Sequence, residues 1–148
     1  MDPELNLAEI IRACVLTFYT GVLDYQDLDL LNSLTNGGWF RCANNAGDGL
    51  VKELTIDDAK EGLRRLFTAF PDLKFTLCDY FQVDCEVMVR WQAAGTHLGP
   101  LGDLEPTGQP LHYDGVDVFQ MTHSGSIVLM QTTHNLDLML ARLKARQR

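Results

Sequence analysis

The chain has 148 residues, 46% hydrophobic and 22% charged, the make-up of one soluble globular domain over residues 1–148 rather than of a disordered, collagen-like or coiled-coil protein. Twenty Asp and Glu stand against twelve Lys and Arg, and four of the basic residues (Arg142, Lys144, Arg146, Arg148) crowd the last seven positions, which leaves a net charge of −12 ahead of them. Such a surface repels phosphate backbones and excludes a general nucleic-acid binder.

Between Leu5 and Val22 the residues Ile10, Ile11, Cys14, Val15, Phe18, Tyr19 and Val22 recur at three- and four-residue steps, which predicts one buried face of an amphipathic helix, with Gly21 as a weak stop. A short second helix is expected to turn Leu28, Leu31 and Leu34 inward before Asn36-Gly37-Gly38 breaks it. Trp39 to Leu54 lacks periodicity and carries Asn44, Asn45, Gly47 and Gly49, so it reads as a loop or mobile flap. Thr55 with Asp58 three residues on forms a capping-box pattern, and Ala59, Leu63, Leu66, Phe67 and Phe70 continue a helical stripe that Pro71 ends.

After Pro71 the period becomes two. Lys74 to Val83 and Glu86 to His97 read as strands joined at Asp84-Cys85, and Leu111 to Thr122 and Ser126 to His134 as two more joined around Ser124-Gly125. Turn formers fill the connection from Gly99-Pro100 to Pro110, and Asn135 is placed to cap a last helix over Leu136 to Leu143. Helices followed by antiparallel strands give an α+β architecture, a strongly curved sheet whose N-terminal helices close it into a cone-shaped barrel around a pocket. No stretch approaches the roughly 20 apolar residues that span a bilayer, and Met1-Asp2-Pro3-Glu4 is acidic where a secretory signal is basic, so a cytoplasmic protein without a membrane partner is expected.

Cys14, Cys42, Cys78 and Cys85 form neither a CxxC pair nor a Cys/His ladder, so buried free thiols are expected and a structural zinc site is not. Asp117 carries the most chemistry. It shares the odd-numbered face of its strand with Leu111, Tyr113, Phe119 and Met121, where loss of water raises a carboxyl pKa and equips it to move protons. A bulge at Gly115 would instead shift the register and set Asp117 on the outer face. His134 ends the next strand and shares a face with Met130 and Thr132; its ordinary pKa suits acid–base work. His97 ends a strand beside a Gly-Pro turn, where orienting the loop explains it as well as touching a ligand, and His112 and His123 read as exposed. His97, Asp117 and His134 come from three strands without a paired ligand spacing, so no metal is expected. Neither GxSxG, GxGxxG nor a Walker pattern occurs, so no nucleotide cofactor is expected either. Tyr19, Trp39, Trp91 and Tyr80 offer aromatic walls, and Arg41 is a cation able to hold an enolate or carboxylate.

Phe70-Pro71-Asp72-Leu73, Val89-Arg90-Trp91 with Gly95-Thr96-His97-Leu98-Gly99, Pro106-Thr107-Gly108, and Gly115-Val116-Asp117-Val118-Phe119 follow one another in an order that resembles the SnoaL-like polyketide cyclases of the nuclear transport factor 2-like superfamily, from about Ile10 to Leu143. The resemblance implies a cone-shaped fold, a homodimer, and ring closure without metal or cofactor by a histidine and an aspartate on adjacent strands. In this chain the histidine position falls on Asp117 and the aspartate position on or beside Thr132. The expected function is therefore a cofactor-independent cyclase or isomerase of a small hydrophobic polyketide-like substrate. Asp117 is the acid or base, His134 or Arg41 polarises an oxygen, and Tyr19, Trp39, Trp91, His97, Tyr113, Phe119, Met121, Met130 and Thr132 contact the substrate. Epoxide opening, dehydration and plain small-molecule binding are the competing functions on such a cone.

Overall fold

The computed structural model describes residues 6–36, 40–44 and 52–146, and of 40–44, 52 and 53 the backbone alone. Helix α1 (Leu7–Thr17) starts two residues later than the apolar stripe suggests, because Asn6 caps it: its side-chain oxygen accepts from the Glu9 N–H at 2.9 Å. The helix does not stop at Gly21. It widens into a π segment (Phe18–Asp24), in which the Tyr25 N–H donates to the Thr20 carbonyl five residues back at 3.0 Å. The wider turn brings Phe18, Tyr19, Val22 and Leu23 inward together. Helix α2 (Leu30–Leu34) is a short turn that buries Leu31, with Leu28 and Leu34 packed at its margin.

The segment expected to be a loop contains two strands, β1 (Phe40–Asn44) and β2 (Lys52–Leu54), which pair with each other antiparallel. Five and three residues are too few for alternation to be read, and backbone pairing carries them. Helix α3 (Ile56–Ala69) opens on the expected capping box: the Asp58 N–H donates to Thr55 Oγ1 at 3.0 Å and the Thr55 N–H returns to Asp58 Oδ2 at 3.4 Å.

The remaining strands are β3 (Lys74–Val83), β4 (Glu86–Thr96), β5 (Pro110–Met121) and β6 (Ile127–His134). The sheet order is β2-β1-β6-β5-β4-β3, with β1 parallel to β6 and the other neighbours antiparallel. The sheet is curled and open, its edges β2 and β3 being unpaired with each other. Alternation decides which side faces the helices: Val87, Val89, Trp91 and Ala93 of β4 and Leu111, Tyr113, Asp117, Phe119 and Met121 of β5 are buried, while their neighbours are not. The core lies between this concave face and α1, the π segment and α3.

Helix α4 (Leu136–Arg146) follows β6 and buries Leu143. Asn135 does not cap it with its side chain; Asn135 Oδ1 accepts from the Asp114 N–H of β5 at 2.9 Å, and His134 Nδ1 accepts from the Leu136 N–H at 3.3 Å. Of the cysteines, Cys14 is buried, which pushes its thiol up to about 11, whereas Cys78 and Cys85 are only half-buried; all three are free. The Cys42 side chain lies outside the described residues. No helix among the described residues is long and apolar enough to cross a membrane.

Candidate active site

The register of β5 decides whether a site exists. Its pairing with β4 runs without interruption from Glu86↔Gln120 to Thr96↔Pro110, so Gly115 introduces no bulge and Asp117 stays on the concave face. The irregularity falls farther along, between Gln120 and Met121 of β5, where Val128 of β6 is the extra residue. Gly115 serves another purpose. A Cβ there would stand 2.6 Å from both the Thr133 carbonyl oxygen and Trp91 Cζ2, so the glycine leaves room for the indole to lie across β5.

Asp117 sits between Val89 of β4 and Thr132 of β6 and is 2% exposed. Tyr19 Oη donates to Asp117 Oδ2 at 2.5 Å. Rings surround the pair: Tyr19 meets Phe119 edge-on at 6.0 Å and Phe75 at 6.4 Å, Phe75 meets Trp91 at 4.9 Å, and Trp91 meets Tyr113 at 5.4 Å. Tyr113 in turn contacts His134 at 6.1 Å.

Burial drives the Asp117 pKa up to about 6 from 3.8, because the charged form loses its water; the Tyr19 hydroxyl, Trp91 and Thr132 pull in the opposite direction without cancelling the rise. The same burial, with the Asp117 charge added, holds the Tyr19 and Tyr113 phenols far above their ordinary range, so both remain protonated donors. Trp91 and Thr132 lean on the carboxyl without completing a hydrogen bond of normal geometry: Asp117 Oδ1 and Trp91 Nε1 are both buried and unpartnered among the described residues.

His134 lies diagonally across the ladder from Asp117, since it pairs with Gly115 while Asp117 pairs with Thr132. Burial lowers its pKa, against a smaller opposing pull from Asp137. With Nδ1 accepting from Leu136, the hydrogen of the neutral ring resides on Nε2.

The fold thus gathers Tyr19, Trp91, Tyr113, Asp117, Phe119, Met130, Thr132 and His134 on or above one sheet face. Met121 is buried on that face at the hairpin end, four residues beyond Asp117. His97 is not with them. It is fully buried eight residues along β4 from the partner of Asp117, roughly 26 Å at about 3.3 Å per residue. Its Nδ1 bonds Thr107 Oγ1 at 3.0 Å and accepts from the Thr107 N–H at 3.2 Å, which makes it the peg of the 98–109 connection. Trp39 lies outside the described residues; Arg41 is described by its backbone, which pairs with Leu129, and its side chain is not. Tyr80 shares the concave face through its pairing with Val89, but it is engaged elsewhere, its hydroxyl donating to Gln82 Oε1 and its ring lying under Arg12 of α1. His112 lines an open cleft of about 390 Å³ on the outer face with Lys74, Gln92, Asp114 and Met139. Sequence reasoning missed Phe75, whose alternation within β3 was a usable signal.

The family model of the SnoaL-like polyketide cyclases matches residues 13–137. The chain belongs to the SnoaL-like polyketide cyclase family. Among solved structures, SnoaL-like folds resemble it over nearly its whole length. AclR, a proposed hydroxylase from Streptomyces galilaeus, superposes with a TM-score of 0.79 at 21% identity over 94% of this chain and 87% of its own. A proposed SnoaL-like polyketide cyclase from Jannaschia sp. CCS1 gives 0.78 at 21% over 95% and 94%. IdmH, a proposed polyketide cyclase from Streptomyces antibioticus, gives 0.74 at 24% over 90% and 98%. At these identities the likeness establishes the fold. Comparison with curated protein sequences gives no significant match.

Proposed function

We propose that this SnoaL-like chain is a cofactor-independent cyclase or isomerase of a hydrophobic polyketide or related natural-product intermediate, with Asp117 as its acid–base residue. The observation that carries the reading is a carboxyl with one oxygen held by Tyr19, the other unpartnered, and a pKa of about 6 inside a ring of aromatic side chains. Such a group is roughly nine-tenths ionised at pH 7 and close enough to neutrality both to take and to return a proton.

In the proposed cycle Asp117 removes a proton from carbon next to a carbonyl. The resulting carbanion attacks a second carbonyl of the same folded substrate, one C–C bond forms, and the new alkoxide takes the proton back from Asp117. His134 donates from Nε2 to a substrate oxygen, and the aromatic walls hold the reacting ends together, an entropic advantage that can reach several kcal/mol. The test is solvent-deuterium exchange at the α-carbon of 2-tetralone, a hydrophobic enolisable ketone. Wild type accelerates exchange, and Asp117→Asn loses about 10²–10⁴ of that acceleration. Equal rates in the two proteins would remove Asp117 from the reaction. Epoxide opening is the competing reading, since an acid of this pKa also protonates an epoxide oxygen; ¹⁸O from labelled water enters the product in hydrolysis and not in cyclisation.

We also propose that the protein is a homodimer through the outer sheet face. Phe81 (61% exposed) and Met88 (46% exposed) pair across β3 and β4, and Val118 continues the stripe on β5. Elution at monomer mass in gel filtration would contradict this.

A further inference from the structure

The outer face of the sheet carries a hollow that the proposed chemistry does not use. In the register of β3, β4 and β5, Lys74 pairs with Ala94 and Ala94 with His112, while in the adjoining row Thr76 pairs with Gln92 and Gln92 with Asp114. These side chains alternate with the buried ones, so they stand on the side of the sheet opposite Asp117. Ala94 is the one small side chain among them. Lys74 and His112 flank it two strand spacings apart, roughly 9–10 Å, and the methyl between them keeps the floor low. Asn135, just before α4, and Met139, in its first turn, close one side, and the cleft so formed holds about 390 Å³, within the usual ~300–1,000 Å³ of small-molecule sites. The row of Asp79, Arg90 and Val116, in which Arg90 is paired to Asp79, separates this cleft from Phe81, Met88 and Val118 of the proposed dimer contact.

The lining selects among ligand chemistries. Lys74 Nζ donates one hydrogen to the Asp24 carbonyl at 3.2 Å and keeps two. Asn135 Oδ1 is taken by the Asp114 N–H at 2.9 Å, which leaves Nδ2 as the donor end of that amide. Thr76 and Gln92, both exposed, can donate and accept, and the Asp114 carboxylate only accepts. Lys74 and Asp114 balance in charge, so an anion meets a like charge in Asp114 and a cation meets one in Lys74. A hydrocarbon strips water from all of these groups and pairs none of them. An amino-acid zwitterion answers the two charges and leaves the amides and the hydroxyl without partners. Hydroxyl groups set around a small ring answer every one, because each both donates and accepts. The apolar parts fit the same ligand. Ala94 and Met139 offer contact to the C–H face of such a ring, and Tyr25, 81% exposed with its ring centroid 6.0 Å from Lys74 Nζ, stands at the lysine end of the cleft. We infer that this cleft is a second binding site, taking one pyranose ring of a neutral sugar or glycoside. It lies across the sheet from Asp117 and does not depend on the acid–base reading of that residue.

The test follows the side-chain amide resonances of Gln92 and Asn135 by ¹H–¹⁵N NMR. Its probes are methyl β-D-glucopyranoside, methyl α-D-mannopyranoside and methyl α-L-rhamnopyranoside, with acetate, inorganic phosphate and glycine as charged controls, each titrated through the millimolar range. At least one glycoside is expected to shift both amides along a saturating curve, while the charged controls leave them in place. Ala94→Leu, which raises the floor, and Gln92→Ala, which removes a hydrogen bond, should each weaken that glycoside by about tenfold. Ala94→Ser, nearly the same size, should retain it. The ¹³C-carboxyl titration of Asp117 in Ala94→Leu should match wild type, showing that the fold and the inner face are intact; if it does not, Gln92→Ala on the exposed face decides alone. Shifts from acetate, phosphate or glycine with none from a glycoside would make this an ion site and overturn the sugar assignment. Silence from every probe, or glycoside binding undiminished in the deciding variants, would overturn it equally. None of these results bears on the role of Asp117, which its own exchange assay tests.

Discussion

Tyr19 and Asp117 are 98 residues apart in the chain and joined by a hydrogen bond of 2.5 Å, the phenol reaching from the π segment onto the centre of β5. The bond ties the helical layer to the sheet at the point where the proposed chemistry takes place. It also restrains the carboxyl: burial raises the pKa and the phenol draws it down.

Tyr19→Phe removes that donor. The Asp117 pKa should climb above its wild-type value of about 6, followed by ¹³C-carboxyl NMR titration. Stability should fall by roughly 1–3 kcal/mol at pH 7 in urea unfolding, the usual loss when a buried hydrogen bond to a charged group goes. An unchanged pKa would show that the phenol does not act on the carboxyl.

Asp117→Asn should reveal what ionising this residue costs. Its pKa is raised on folding from 3.8 to about 6, so the unfolded chain gives up this proton first. The group's favourable contribution is complete below pH 3.8 and disappears as pH rises through about 6, a difference of ~3 kcal/mol at most. Unfolding free energies of wild type and variant, measured from pH 4 to 7, should diverge in the variant's favour across that window. Parallel curves would contradict the buried-carboxyl assignment.

His134 has the opposite sign. Burial holds its pKa below 6.5, so its stabilising contribution is complete above about pH 6.5 and declines as pH drops toward the folded value. His134→Gln should therefore lose less stability than wild type between pH 7 and 5. The imidazole resonance of this residue in wild type, titrated by NMR, should show it protonating below the ordinary histidine value of 6.5.

Gly115→Ala should destabilise the fold by roughly 1–3 kcal/mol, because the new methyl meets a backbone oxygen of β6 that cannot move freely. It should also shift the Trp91 indole signal in the absence of any ligand. A fully stable variant with an unmoved indole would mean that the glycine is not what seats the ring.

Much of this was readable beforehand, for identifiable reasons. The four long strands show alternation over eight or more residues, and that fixed the inward side of β5 once Gly115 proved to be an ordinary ladder residue. The capping box at Thr55 is a local signal and reappears in the structure. The partnership of Tyr19 with Asp117 was not legible, because a residue on an apolar helical stripe reveals that it is buried and nothing about which distant group meets its hydroxyl. The π segment escaped because a 3.6-residue template fits its apolar positions nearly as well. Asn135 has capping chemistry, yet β5 claims its side-chain oxygen first. His97 misled for the same reason: a buried imidazole serves a loop as readily as a ligand.

The widened turn at Phe18–Asp24 has an implication for the chain's tolerance of length changes. One residue fewer there, Gly21 for instance, would let the coil tighten to the ordinary pitch and swing everything upstream by about 100° about its axis. The phenol of residue 19 would then point away from the carboxyl that it now grips. Deleting a single glycine with no proposed chemistry of its own would thus disconnect the acid–base group from its anchor while leaving every strand in place.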